Sequence, residues 1–260
     1  MSDGFREFIS RNSVASSSSM PLVHTTASYF VKSIRESDAL IPQICDVFGT
    51  PLTYFFVGRP AYRVKHAEGQ AEDWELPSCF IFRYEAMVNP KRVFPFDSGA
   101  FSTGRMPNYV GMMDRDSFDV ANIEDAPQRV IGAFFGSLSK YFEGKPKDAG
   151  QFANEFSLGV FDQEAKAVHR LASEKSLSTL DDRRLSVEMQ FDTLVDLKVE
   201  NPLAVIMPLP YYADAKFRDH VENVWKATPI SYPISSLNSC EYQALIYDRM
   251  MTFYQKIGVL

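Results

Sequence analysis

Three short apolar runs constrain this chain most: LTYFFV (52–57), SCFIFRY (78–84) and LAVIMPL (203–209). Each has strand length and is rich in aromatic or branched residues. LTYFFV is closed by Gly58-Arg59-Pro60, a turn signal. LAVIMPL is the most apolar of the three and is expected as a central strand. Pro21 to His24 reads as a short first strand. RVFPFDSGAFSTG (92–104) begins as strand and is expected to become a glycine-containing loop. LSVEMQFDTLV (185–195) alternates, and ISYPI (230–234) is short and branched. The spacing between these runs is irregular, with no regular crossover helices. That pattern predicts an α+β fold, not a doubly wound parallel one.

Helical spacing fills some of the gaps. Tyr29, Phe30 and Ile34 recur on one face after Thr25 or Thr26, either of which can cap a helix ending near Asp38. DQEAKAVHRLASEK places Ala165, Val168 and Leu171 on one side. Asp214 to Lys226 carries Phe217, Val221 and Trp225, and Glu241 to Ile257 reads as a closing helix. Residues 105–147 give mixed signals and are expected as one or two helices with a long surface loop. The polar, serine-rich residues 1–20 read as a flexible leader. Residues 21–260 then form a single domain with an insertion at about 105–175.

Charge and cysteine usage narrow the function classes. A net charge of −6 argues against a broad electrostatic grip on nucleic acid, leaving only a local basic groove. Lys145, Lys147, His169, Arg170, Lys175, Arg183 and Arg184 are candidates for such a rim, with Tyr109 and Tyr141 as stacking residues. The three cysteines, Cys45, Cys79 and Cys240, show no CxxC spacing, so free thiols in a reducing cytoplasm are expected. No stretch has the length of a membrane span. The four histidines lie far apart in sequence, and no metal site is expected. GxGxxG, GxxxxGK[ST] and GxSxG are absent, which removes the usual signals for Rossmann, P-loop and α/β-hydrolase chemistry.

Three segments retain chemical interest, each with two readings. His24-Thr25-Thr26 is either a packed strand histidine with a helix cap or an imidazole offered to a ribose hydroxyl. In YFFVGRPAYR (54–63), Arg59, Tyr62 and Arg63 follow a strand end. They serve either as surface groups or as a phosphate fork with a stacking ring. In DDRRLSVEMQ (181–190), period two puts Arg184, Ser186, Glu188 and Gln190 on one face. That face is either a solvated edge or a cleft wall in which Glu188 holds a sugar hydroxyl and steadies positive charge. Glu241, in SCEYQ, is a rival carboxylate, read as the acid of a helix start.

The order of these segments resembles the ADP-ribosyltransferase superfamily, and within it the DarT-like branch of toxins that modify nucleic acid. His24-Thr25-Thr26 is similar to that branch's early H-x-T strand. Pro51 to Tyr62 is similar to its aromatic strand and arginine-proline turn, and Arg184 to Phe191 to its late glutamate strand. The resemblance implies a split mixed β-sheet core with peripheral helices and NAD as substrate without a metal. His24 would bond the nicotinamide ribose, and Thr25 or Thr26 would fix the strand end. Tyr54 or Tyr62 would stack near the nicotinamide, and Arg59 or Arg63 would meet the phosphates. Glu188 would stabilise the oxocarbenium-like transition state, with Arg59 beside it as a second catalytic group. The implied partners are a DNA or RNA acceptor and an antitoxin protein, with no membrane. NAD hydrolysis and non-catalytic binding on the same fold are the alternatives.

Overall fold

A computed structural model describes residues 4–14, 19–61, 71–174, 182–234 and 239–260. The chain divides into two compact units. Met1–Ser19 and Pro90–Gln190 make the first, and Met20–Asn89 and Phe191–Leu260 make the second. The sequence reading put its one insertion at 105–175; the observed division falls instead at Pro90 and Phe191.

The second unit is organised by a mixed sheet. Its strands are β1 (Leu22–Ala27), β3 (Gln43–Cys45), β4 (Thr50–Val57), β5 (Pro77–Phe82), β9 (Ala204–Pro208) and β10 (Thr228–Tyr232). β10 lies parallel to β9, and β9 pairs antiparallel with β5. β5 then pairs antiparallel with β1, β1 with β4, and β4 with β3. β5 and β9 are buried along their whole length, as expected for interior strands covered on both faces. LTYFFV and LAVIMPL therefore form strands where the sequence puts them. A small pair, β2 (Ala39–Leu40) with β8 (Val195–Asp196), sits off this sheet.

Helices flank the sheet: α2 (Val31–Ser37), α9 (Leu197–Glu200), α10 (Leu209–Ala213), α11 (Ala215–Asp219) and α12 (Ser239–Lys256). α2 ends at Asp38, which takes the left-handed conformation with φ 50°. Thr25 and Thr26 do not cap it. They lie within β1, and a 3₁₀ turn over Ser28–Phe30 separates them from the helix. The helix expected over 214–226 is also broken, into α11 and a π-helical turn at His220–Val224. The turn lets Trp225 enter the core, where it is fully buried against Phe80 at 5.8 Å.

The first unit holds α1 (Gly4–Ser10), β6 (Arg92–Phe94), α3 (Ser98–Ser102), α4 (Asn108–Gly111), α5 (Ala126–Phe134), α6 (Leu138–Phe142), α7 (Ala149–Phe156), α8 (Gln163–Ser173) and all but the last residue of β7 (Glu188–Phe191). β6 and β7 pair antiparallel with Phe94 opposite Glu188. The flexible leader expected over residues 1–20 is replaced, at its start, by α1. Seven residues are too few for a helix to hold alone in water. α1 persists by burying Phe5, Phe8 and Ile9, with Phe5 edge-on to Phe118 at 5.3 Å and Phe8 to Phe156 at 5.2 Å. Polar composition concealed this, because three apolar side chains on one face decide the outcome. The expected loop within 92–104 likewise contains α3, capped by Asp97, whose carboxylate accepts from the Ala100 amide at 2.7 Å.

The fold is α+β, with a mixed central sheet and peripheral helices. Among the described residues no helix is long and apolar enough to cross a membrane. Among them, too, no three His, Cys, Asp or Glu side chains gather as a metal site. Cys79 is buried, and burial pushes its thiol up to about 12, which makes it inert; Cys45 is half-buried.

Candidate functional site

A cavity of about 520 Å³ opens in the second unit, within the usual range of small-molecule sites. β1, α2 with the turn before it, β2 (Ala39 and Leu40), β3 and β4 build it. β1 contributes His24 and Thr26, two residues apart and so on one face. α2 and the turn before it contribute Phe30, Ser33, Ile34 and Ser37, a helical face. β3 adds Gln43, Ile44 and Cys45, and β4 adds Leu52, Thr53 and Tyr54. Among the described residues no Asp, Glu, Lys or Arg lines it.

The polar groups in this wall are specifically held. His24 Nδ1 lies 2.9 Å from the Tyr54 carbonyl. A carbonyl only accepts, so Nδ1 carries the proton and Nε2 is left as an acceptor. Burial lowers the His24 pKa, and the bond to the carbonyl offsets this only in part, so the ring is neutral at pH 7. The Tyr54 hydroxyl donates to Cys45 Sγ at 2.7 Å. Thr53 is 4% exposed, and among the described residues its hydroxyl has no hydrogen-bond partner. A buried hydroxyl in that state costs about 1–3 kcal/mol.

Period two separates the two threonines that the sequence left as alternatives. Thr26 lines the cavity. Thr25 takes the other face, where its hydroxyl donates to the Pro60 carbonyl and lies 3.5 Å from Cys79 Sγ. It thus ties β1 to the turn after β4. Arg59 departs from expectation. It is 5% exposed, with its guanidinium 5.1 Å from the Tyr247 ring centroid, and it does not line the cavity. The turn folds it inward: Gly58 adopts φ 65° and its amide donates to the Pro21 carbonyl at 2.7 Å. A Cβ at Gly58 would meet Met20 Sδ at 2.6 Å, so only glycine fits. Tyr62 and Arg63 lie outside the described residues, as does the side chain of Glu241.

Glu188 belongs to the first unit, and the polar face expected to look outward is buried there. Ser186, Glu188 and Gln190 are each at most 1% exposed. Glu188 Oε1 accepts from the Ser98 hydroxyl at 2.6 Å and from Gln190 Nε2 at 2.7 Å. Oε2 accepts from the Ser98 amide at 3.2 Å. Asp97 and Arg183 form a buried ion pair at 3.5 Å beside them. Burial, and next the Asp97 charge, push the Glu188 carboxyl up to about 8 despite its donors. Burial and Asp97 thus favour the protonated form, whereas the sequence reading asked for an ionised group.

The expected basic rim is mostly committed internally. Lys145 pairs with Glu143, and Lys147 with Glu155. Arg170 lies over the Tyr109 ring at 4.0 Å, and Arg184 donates to the Ala172 carbonyl at 2.9 Å. His169 is buried, stacked on Phe152 at 4.3 Å. Tyr141, expected as an exposed stacking residue, is fully buried, its hydroxyl accepting from the Val187 amide. Lys175 lies outside the described residues.

Sequence reasoning missed one cluster altogether. The Asp38 carboxylate accepts from His220 Nε2 at 2.7 Å, Trp225 Nε1 at 2.8 Å and Lys198 Nζ at 3.0 Å. Burial alone would raise its pKa; these donors outweigh that and bring it to about 2. The partners are 160 or more positions away, so local sequence held no signal for them. No protein-family model, no curated protein and no solved structure matches the chain.

Proposed function

We propose that this chain is an NAD-dependent ADP-ribosyltransferase on a split mixed-sheet core, a cytoplasmic toxin or phage-defence effector whose acceptor is nucleic acid. One observation supports this reading beyond the motif order. Three residues that the resemblance assigns to the nucleotide, His24, Thr26 and Tyr54, line a single cavity. His24 presents a neutral Nε2 acceptor there, which suits a sugar hydroxyl. The uncharged wall suits the ribose and its ring; the pyrophosphate would have to meet cations elsewhere.

In the proposed reaction the bond between the nicotinamide nitrogen and ribose C1′ breaks. Nicotinamide leaves with the bonding pair, and the acceptor's oxygen or nitrogen forms the new bond to C1′ while losing its proton. Positive charge develops on the ribose, and a fixed carboxylate lowers that barrier. The resemblance gives this task to Glu188 and gives Arg59 a supporting one. For Glu188 the surroundings set a condition: the ionised form becomes the major one only above about pH 8. Activity that depends on it should rise with pH through that value.

The test is incubation of the full chain with labelled NAD and DNA, RNA or cell extract, followed by release of nicotinamide. Label is expected in a nucleic-acid fraction. His24→Ala and Glu188→Gln are each expected to lower the rate by about 10²–10³, the usual loss for one electrostatic group. Absence of both label transfer and nicotinamide release sinks the reading, as does wild-type behaviour of both variants. Free ADP-ribose with no labelled acceptor replaces the transferase with a hydrolase.

A further inference from the structure

α2 has cavities on two sides. Besides the one described above, a second of about 560 Å³ opens against Val31, Lys32, Arg35, Tyr211 and Phe217, all within the second unit. Val31 and Phe217 are buried and give it an apolar floor. Tyr211 is half-buried on its wall. Lys32 and Arg35 stand three positions apart, on one helical face. Among the described residues neither forms an ion pair or hydrogen bond.

The acids decide which ligand fits. Glu36 and Asp214 also line this cavity, so its wall is formally neutral while its charges are separated. Glu36 forms no ion pair among the described residues, although it stands four positions after Lys32, where a helical pair would be expected. Asp214 is partly committed, because Oδ1 accepts from the Phe217 amide at 2.8 Å. A simple anion would meet repulsion from two carboxylates, and a simple cation repulsion from Lys32 and Arg35.

We infer that this second cavity binds a small zwitterion with an aromatic body: a carboxylate on Lys32 and Arg35, an ammonium toward Glu36 and Asp214, and a ring between Tyr211 and Phe217. An amino acid of aromatic type has this chemistry. The inference does not rest on the NAD reading, since it uses other residues and another cavity.

Three isosteric probes test it: L-tryptophan, tryptamine, which lacks the carboxylate, and indole-3-propionate, which lacks the ammonium. Titration calorimetry on the full chain should show tryptophan binding about tenfold or more tighter than either analogue, the scale of one lost charge-assisted contact. The Lys32→Ala/Arg35→Ala double variant should lose that binding about tenfold with its circular dichroism unchanged, because Lys32 is exposed and Arg35 only half-buried. His24→Ala should leave it intact, so failure of the NAD proposal and failure of this one are read on different variants. The idea is overturned by no heat from tryptophan, by an analogue that binds as well, by a double variant that binds like wild type, or by loss in His24→Ala.

Discussion

Asp38 in the second unit, half-buried, and Glu188 in the first, fully buried, are both carboxyl groups ringed by donors, yet they are driven in opposite directions. Asp38 gathers a cation, an imidazole and an indole N–H, and ends at about 2. Glu188 gathers a hydroxyl, an amide side chain and a backbone N–H, and ends at about 8. Both are well supplied with donors. What separates them is the nearest full charge and the depth. Asp38 has Lys198 at 3.0 Å and keeps 17% of its side chain exposed. Glu188 has the Asp97 charge as its unfavourable neighbour and is 1% exposed. At Glu188 the three donors do not offset burial and the Asp97 charge, whereas at Asp38 the donors, with a cation among them, outweigh burial.

The largest effect expected from this contrast is a pH dependence with opposite sign in the two units. Glu188 has its folded pKa raised from 4.5 to about 8. Folding then favours the protonated form, so its contribution is full below pH 4.5 and is lost as pH rises through about 8. The slope is at most about 1.4 kcal/mol per pH unit for one proton. Urea unfolding between pH 5 and 9, read by probes in the first unit, should show this fall, and Glu188→Gln should flatten it. An equal slope in the variant would show that Glu188 is not the group responsible.

Asp38→Ala comes next. It leaves the buried Trp225 N–H without its acceptor and removes the partner of His220 and Lys198, so a cost of about 3 kcal/mol is expected. A lower urea midpoint at unchanged slope measures it. Asp38 has its folded pKa depressed, so its contribution is present above about pH 4 and lost as pH falls toward 2. That acid limb should vanish in the same variant. A variant within about 0.5 kcal/mol of wild type would reduce the cluster to a surface contact.

The smallest expected change sharpens the Glu188 side. Ser98→Ala removes the 2.6 Å hydroxyl donor but keeps the Ser98 amide. The midpoint of the Glu188 titration should move above 8, because the hydroxyl favours the ionised form. A downward move would mean that this hydroxyl stabilises the protonated carboxyl instead.

Much of the fold was legible in the sequence because the signals were local. LTYFFV and LAVIMPL could only be strands, and the spacing of Ile34 and its neighbours marked α2. His24 was legible as a residue to watch from its own strand, while Tyr54 came only as an alternative to Tyr62 through the resemblance. β3 was missed because Gln43 to Cys45 is three residues long and largely exposed, with no pattern to read. Arg59 was misjudged for a related reason. An arginine after a strand usually points outward, and only the left-handed turn at Gly58 with Tyr247 on α12 turns it in.

The sequence by itself determined the strands at LTYFFV and LAVIMPL and the helical runs of α2, α8 and α12, since side-chain alternation and helical spacing are properties of neighbours along the chain. That β1 runs on through Thr25 and Thr26, so that the two face opposite ways, came from the structure. Only the tertiary structure decided the state of each ionisable group. Whether Glu188 is charged depends on Asp97 and Ser98, some 90 positions away, and Asp38 answers to His220 and Trp225 at twice that distance. Burial and Coulomb fields act through space, so no local pattern of residues could have announced them.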